Sequence, residues 1–256
     1  MGSDGLLYTV RDQQLRFNAW SKMNDPRESR EWRSTGTLVA TGNYSDSHMA
    51  RRIDDVLRRS ARLLSLTADR EPVPEAKPVH LFHRGWGRAA LWAHYAEQHH
   101  GVCLVLDSEA IGATLADLPF KDGRYTTWGR ISYVDDPIRV GLTGSFANQP
   151  ALDEAIEQLL DKRWTLSGLH MTKNTDWAYE TELRFATVDL DLDEREFDTP
   201  LTIPLGDCLK AVIFGDAHAA PRVIAAGIRG LLGSESPEFY QCRWAYGAPT
   251  LEAIAV

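Results

Sequence analysis

The segment of residues 173–185 reads KNTDWAYETELRF and leads into a strand predicted over Glu182 to Leu190. Because side chains alternate between the two faces of a strand, Glu180, Glu182 and Arg184 are predicted to share one face. The other face is predicted to carry Tyr179, Thr181, Leu183 and Phe185. Two carboxylates and one guanidinium therefore line a single predicted surface.

This predicted surface has the composition of a glycosyl-transfer site. Carboxylates a few ångströms apart do not ionise independently. A carboxylate beside an anomeric carbon also stabilises the oxocarbenium-like state through which a glycosidic bond is cleaved. A solvent-exposed stripe of Glu and Arg on an amphipathic strand accounts for the same spacing without any chemistry, and both interpretations stay open at this point.

Outward from this segment, alternating or continuous apolar runs predict the remaining strands. They are Leu6 to Val10 and Leu15 to Trp20, joined like a hairpin, Arg62 to Leu66, Val102 to Leu106, Arg130 to Val134, Lys210 to Phe214, and Glu238 to Ala245 at a sheet edge. Spacings of three and four residues predict the helices. They run from an N-cap at Ser47 to Ser60, from Ala89 to Gln98, from Ser108 to Leu115, from Pro150 to Trp164 and from Pro221 to Leu232.

No internal repeat or long linker divides the 256 residues. We therefore predict a single α+β domain over residues 1–256, with mixed or antiparallel sheets and flanking helices. Twenty-eight Lys and Arg against 36 Asp and Glu give a net charge of −8, which opposes sequence-blind wrapping of nucleic acid. Three scattered cysteines predict a reducing cytoplasm. No secretion signal and no apolar run of about 18 residues is present, so no membrane partner is expected.

Aromatic and basic groups elsewhere have two interpretations each. Trp92, Tyr95 and His99 can share a helix face and stack on a planar heterocycle, or they can be core aromatics with exposed histidines. Five arginines can form a solvated helix face or contact phosphates. They are Arg51, Arg52, Arg58, Arg59 and Arg62. The histidines lack the spacing of a metal site, so none is expected, and no phosphate-loop or GxSxG motif occurs.

Five segments in order resemble the bacterial "domain of unknown function 2971" family. They are Leu7 to Arg11, Phe17 through Asn24-Asp25-Pro26, Ser65-Leu66, Leu91 to Tyr95 with His100 to Cys103, and Trp177 to Arg184. Their order and spacing span most of the chain. Their layout is also similar to that of ADP-ribosyltransferases, which use an early Arg or His, a middle aromatic element and a late Glu, often as Glu-x-Glu.

The resemblance implies a role for each matching residue. Arg11, with Tyr8 in the same segment, is implied to hold the pyrophosphate or ribose of NAD. Tyr95 or Trp92 is implied to stack on nicotinamide, with His94 beside them. Asn24 and Asp25 are either neighbours of the site or members of a structural turn.

The late carboxylates are implied to do the chemistry. Glu182 is implied to bind the nicotinamide ribose and stabilise the oxocarbenium, and Glu180 to position or deprotonate the acceptor. Arg184 is implied to orient them or to bind phosphate. On this basis Glu182→Gln is expected to lose turnover while the fold is retained.

The resemblance thus implies a cytoplasmic, NAD-consuming ADP-ribosyltransferase-like enzyme, acting as a toxin or phage-defence effector. Its partners are expected to be NAD as substrate, a nucleic-acid or protein acceptor, and an antitoxin or regulatory protein. The alternatives are an NAD or nucleoside glycosidase, with water as acceptor, and a non-catalytic nucleotide-binding sensor.

Overall fold

The computed structural model of the protein describes residues 1–42, 44–75, 79–117 and 124–256. The helices are α1 Ser3–Asp12, α2 Pro26–Ser29, α3 Asp46–Asp54, α4 Ala89–Tyr95, α5 Ser108–Ala116, α6 Gln149–Leu160, α7 Arg163–His170 and α8 Pro221–Leu232. The strands are β1 Gln14–Ala19, β2 Leu38–Ala40, β3 Arg62–Thr67, β4 Val102–Leu106, β5 Arg124–Arg130, β6 Ser132–Tyr133, β7 Gly144–Phe146, β8 Thr172–Lys173, β9 Glu182–Asp189, β10 Leu201–Pro204, β11 Leu209–Phe214, β12 Glu238–Ala245 and β13 Ala248–Ala253.

The chain divides into two compact units, each made of segments that are separate in the sequence. The first unit contains Met1–Arg16, Thr67–Asp117 and Thr202–Val256. The second contains Phe17–Leu66 and Leu118–Leu201, of which residues 118–123 and 43 lie outside the described residues. The single domain over residues 1–256 stays a prediction beside this division.

The first unit contains a four-stranded mixed sheet in the order β13-β12-β11-β4. β11 and β12 are parallel, and α8 connects them. Pro221 stands at the start of α8, where its missing N–H breaks no helical hydrogen bond. Gly215 follows β11, and a Cβ there would overlap the carbonyl oxygen of His99, so this close backbone approach requires glycine.

The second unit carries the segment quoted first. Its sheet contains β3, β9 and β5 in that order, with Phe17–Ala19 of β1 antiparallel to β3 and β5 antiparallel to β9. The core beside this sheet contains Trp20, Ile53 and Leu57, with Leu152 and Ile156 from α6. Because β9 lies between β3 and β5, seven of its eight residues are buried.

The predicted combination of helices with mixed and antiparallel sheets is confirmed. Strands at Val102–Leu106 and in β1, β3, β9 and β11 lie close to their predicted positions, and α8 has the predicted ends. The helix predicted with its N-cap at Ser47 has its N-cap two residues earlier, at Ser45, and continues through a π-helical turn at Asp55–Arg59. The helix predicted from Ala89 ends at Tyr95, because Glu97, Gln98 and His99 have positive φ angles.

Three predicted strands are corrected. Residues Leu6 to Val10 are helical, because Leu6, Thr9 and Val10 recur at helical spacing on the buried face. The strand predicted from Arg130 to Val134 breaks at Ile131, where the chain leaves β9 and Ser132–Tyr133 pairs with β8. β12 is central rather than at the edge, because Tyr246 and Gly247 turn the chain back into β13.

None of the helices in the described ranges has the length and apolar content that a membrane span requires.

Candidate functional site

Five charged residues of the second unit meet in what we call the charged cluster: Glu28, Lys173, Glu180, Glu182 and Arg184. Their exposed fractions are 1%, 7%, 6%, 2% and 0% in that order. Buried charges are stable only when they are paired and hydrogen-bonded. The expectation of a solvent-exposed stripe is therefore wrong, since the central position of β9 buries Glu182 and Arg184.

Glu182 is held by four donors. Its Oε1 accepts from Arg184 Nε at 2.6 Å and from Ser65 Oγ at 2.5 Å. Its Oε2 accepts from Arg184 Nη2 at 3.0 Å and from Lys173 Nζ at 3.2 Å. A carboxylate offers about four lone-pair positions, so the acceptor capacity of Glu182 is used in full.

Lys173 joins the two glutamates of the Glu-x-Glu motif. Its Nζ donates to Glu180 Oε2 at 2.6 Å as well as to Glu182, and it lies 4.7 Å from the centre of the Trp177 ring. Glu180 is the last residue of a 3-10 helix over Thr175–Glu180, and β9 begins only at Glu182. Glu180 is therefore not part of the strand, and the prediction that strand alternation places both glutamates on one face is wrong. The two carboxylates are nevertheless close together, because both accept from the Lys173 ammonium.

The residue between the two glutamates has a strained backbone. Thr181 has φ 47° and ψ 54°, in the left-handed region. A β-branched side chain rarely adopts this conformation, and such outliers occur most often at functional sites. This turn is what directs Glu180 and Glu182 toward the same lysine.

Arg184 links Glu182 to a carboxyl from a distant part of the chain. Its Nη1 lies 2.6 Å from Glu28 Oε1 on α2 and donates to the His170 carbonyl oxygen at 3.0 Å. Its guanidinium lies 4.9 Å from the centre of the Trp20 ring. Three carboxyls therefore share two cations, which leaves one carboxyl in excess.

The directions of the pKa shifts identify Glu28 as the excess carboxyl. Burial raises the pKa of Glu28 above its ordinary value, against the attraction of Arg184 and Lys173. For Glu182, burial also acts to raise the pKa, but the charge and hydrogen bonds of Arg184, with Lys173 and Ser65, outweigh it and the pKa is lowered. The same carboxylates outweigh burial at Lys173 and Arg184 and raise both pKa values. Glu28 and Glu182 both pair with the Arg184 guanidinium, yet the pKa of Glu28 is raised and the pKa of Glu182 is lowered.

We expect Glu28→Gln to change the pH dependence of stability. A carboxyl whose folded-state pKa is raised stabilises the fold fully below its unfolded pKa, and this contribution is lost as pH rises through the folded pKa. Glutamine keeps the shape and cannot ionise. The free energy of unfolding of Glu28→Gln, minus that of wild type, is therefore expected to become more positive between about pH 4 and about pH 8. The total change is about 1.4 kcal/mol for each unit by which the fold raises the pKa of Glu28.

Urea unfolding across this pH range measures the difference. Glu154→Gln, which alters an exposed glutamate on α6, is the control. If the free energies of unfolding of Glu28→Gln and wild type differ by the same amount at both ends of the pH range, the assignment of Glu28 as the excess carboxyl is contradicted.

The other implied ligand-binding residues lie in the first unit. Arg11 is exposed, pairs with Asp12 at 2.7 Å and lies 5.1 Å from the centre of the exposed Tyr8 ring. Trp92 is a core residue that packs against Ile213 and Cys242 and donates to the Trp86 carbonyl oxygen. His94 and Tyr95 are exposed and adjacent, with ring centres 6.4 Å apart.

The remaining implied residues have local roles in the second unit. Asp25 is the N-cap of α2, where its Oδ1 accepts from the Arg27 backbone N–H at 2.9 Å, while Asn24 is exposed. Most of the arginine group is paired: Arg52 with Asp153, Arg58 with Asp54 and Arg59 with Asp55. Arg62 is buried and donates to backbone carbonyl oxygens. No group of three or more His, Cys, Asp or Glu in the described part of the chain could hold a metal ion.

Glu28, Lys173 and Ser65 were not identified from the sequence as site residues. Lys173 opens the quoted segment, and Ser65 and Glu28 lie in or beside segments of the family resemblance. The only available signal was that two buried carboxylates and an arginine would need further partners of opposite charge.

Comparison with known protein families gives a match over the middle of the chain. Residues 91–185 match the model of a family described as a protein of unknown function (DUF2971). This range runs from α4 to β9 and includes Lys173, Glu180, Glu182 and Arg184, so the family resemblance is confirmed for this part of the chain. No curated protein and no solved structure matches the chain.

Proposed function

We propose that this protein binds NAD and cleaves its nicotinamide–ribose bond, transferring ADP-ribose to a nucleic-acid or protein acceptor as a toxin or phage-defence effector. The similarity of the motif layout to ADP-ribosyltransferases supports this proposal. The observation that carries it is the strained turn at Thr181, which joins Glu180 and Glu182 to one lysine. Backbone strain of this kind is retained where the surrounding structure holds it for function.

The proposed chemistry assigns different tasks to the carboxyls. Glu182, whose pKa is lowered, supplies a permanent negative charge toward the oxocarbenium. The bond from ribose C1′ to the nicotinamide nitrogen breaks, and its electron pair leaves with nicotinamide. The acceptor nucleophile then bonds to C1′, and its proton passes to Glu180. Opposite pKa shifts on neighbouring carboxyls, as on Glu28 and Glu182, are typical of acid–base sites.

Access to the carboxylates is a requirement of this proposal. The Glu180 residue is only 6% exposed. It is the last residue of the 3-10 helix Thr175–Glu180. NAD can reach the carboxylate only if this segment moves outward on binding. Movements of this kind are common at sites that exclude water from the reaction.

Glu180→Gln is expected to lower nicotinamide release from NAD by about 100-fold or more, because general acid–base catalysis typically contributes that much. Glu180 is the variant of choice because Glu180→Gln leaves the four donors to Glu182 in place. The assay compares wild type, Glu180→Gln and the surface control Glu154→Gln, each with and without cell lysate as a source of acceptor. Circular dichroism establishes that each variant is folded.

The fate of the adenylate half separates the two enzyme classes. Label that becomes attached to a macromolecule identifies a transferase, whereas label released as free ADP-ribose identifies a glycosidase. Wild-type protein that releases no nicotinamide with or without lysate would contradict the enzymatic proposal, as would full activity in folded Glu180→Gln.

A non-catalytic nucleotide-binding module is the second candidate. The observation that favours it is the full occupation of the Glu182 oxygens by Arg184, Lys173 and Ser65. A carboxylate in this state supports the fold without contacting a ligand. NAD that raises the melting temperature while no nicotinamide is released would identify this function.

A further inference from the structure

A second polar region of the second unit is a pocket of about 650 Å³. It is bounded by α2, α6, α7, β8 and the segment of residues 134–141, and none of its lining residues belongs to the charged cluster. We call it the arginine pocket, after Arg27 and Arg139 in its lining. Its volume is in the range of pockets that hold small-molecule ligands.

Arg27 brings to this pocket a guanidinium that forms no ion pair with the described carboxylates. Its Nη1 donates to the Val134 carbonyl oxygen at 2.6 Å, and its Nη2 is 3.4 Å from Thr172 Oγ1. Its Nε is buried and has no hydrogen-bond partner. No carboxylate in the described ranges lies within ion-pair distance of this guanidinium. Neutral groups therefore hold the guanidinium in place, and Asp135 interacts with its charge without forming an ion pair, so the guanidinium can still pair with a ligand.

Thr165 provides a second, independent indication of a ligand. The residue lines the pocket from α7 and is 5% exposed, and its hydroxyl has no hydrogen-bond partner. A buried hydroxyl without a partner is destabilising, and a native fold rarely leaves one without a reason. A ligand acceptor or donor in the pocket would satisfy it.

The rest of the lining defines the chemistry of the ligand. Arg139 is exposed and has no ion-pair partner among the described residues, while the exposed Asp136 is the acidic member of the lining. Val140, Leu159 and Leu169 contribute apolar atoms to the lining and are 1%, 7% and 2% exposed. Guanidinium groups recognise phosphate through paired, charge-assisted hydrogen bonds, and the apolar side chains suit a flat organic body.

We propose that the arginine pocket binds a phosphate monoester with an aromatic or apolar body, of about the size of a nucleoside monophosphate. The phosphate contacts Arg27 and Arg139, and the body packs on the apolar side. This inference stands without the NAD proposal, because the pocket and the charged cluster share no residue.

Gly168 allows a steric test of the pocket. It lies on α7 in the lining, and a Cβ at this position would meet no atom within 4 Å. Leucine is favourable in a helix, so Gly168→Leu is expected to keep the fold and to fill the pocket. Gly227 on α8 is likewise exposed and in open space but does not line the pocket, which makes Gly227→Leu the matched control.

Calorimetric titration of AMP, adenosine and inorganic phosphate into the full chain tests the inference. We expect wild type to bind AMP more tightly than adenosine or phosphate. Arg139→Gln and Gly168→Leu are each expected to weaken AMP binding by about tenfold or more. Gly227→Leu is expected to bind as wild type does.

Three outcomes overturn the inference. Wild type that binds no AMP excludes the ligand class, equal affinity for AMP and adenosine excludes the phosphate contact, and unchanged binding by both Arg139→Gln and Gly168→Leu places the ligand elsewhere. Because Arg139 is exposed, Arg139→Gln keeps the test decisive even if Gly168→Leu fails to fold. AMP binding without nicotinamide release from NAD would leave this inference standing while the enzymatic proposal fails.

Discussion

Arg184→Met is expected to lower the free energy of unfolding by about 3–5 kcal/mol, because it leaves buried carboxyls without their cation. Methionine has a similar length, but it donates no hydrogen bonds to Glu182 or the His170 carbonyl oxygen and carries no charge to pair with Glu28. It also loses the contact between the guanidinium and the Trp20 ring. The expected loss of stability therefore comes from the missing charge and hydrogen bonds rather than from a change in side-chain volume.

Urea unfolding of wild type and variant measures this effect. Arg195→Met is the matched control, since Arg195 pairs with Asp193 at 2.8 Å while its side chain is 89% exposed. Water solvates both charges of this exposed pair, so its removal is expected to leave stability nearly unchanged. An Arg184→Met variant as stable as Arg195→Met would contradict the buried arrangement of the charged cluster.

Glu182→Gln is expected to destabilise the protein by a similar amount, about 3–5 kcal/mol. The substitution removes the negative charge that lies between Arg184 and Lys173, and it presents an amide group where three cationic or hydroxyl donors converge. This result differs from the expectation drawn from sequence, in which only turnover is lost. The difference arises because the side chain is buried rather than exposed.

The same unfolding measurement checks Glu182→Gln, with Glu154→Gln as the surface control. The double variant Glu182→Gln with Arg184→Met is expected to lose less than the sum of the two single losses, because the two residues form one interaction. Additive losses, or a Glu182→Gln protein as stable as wild type, would show that the pair is not coupled.

These stability effects decide how activity data are interpreted. An inactive Glu182→Gln protein does not by itself identify a catalytic residue, since loss of the fold explains the same result. Glu180→Gln leaves the bonds from Arg184 and Lys173 to Glu182 in place and removes the charge that pairs with Lys173, so it is the sharper test of chemistry once its fold is verified.

The fold was predictable from sequence where local patterns had a single meaning. The apolar run Val102–Leu106 and the proline at the start of Pro221–Leu232 gave the correct elements with the correct ends. Leu6 to Val10 was mistaken because five residues are compatible with both alternation and helical spacing. β13 was missed because Pro249 interrupts its pattern, although proline is tolerated in an edge strand.

The sequence alone determined that Glu180, Glu182 and Arg184 belong to one polar segment entering a strand, because spacing along a chain is a local property. Only the tertiary structure decided that β9 is central and that its charges are buried. The tertiary structure also supplied the partners, since Glu28 and Ser65 come from segments more than 100 residues away in the chain. Burial depends on which strands pack on either side, and no local spacing encodes that pairing.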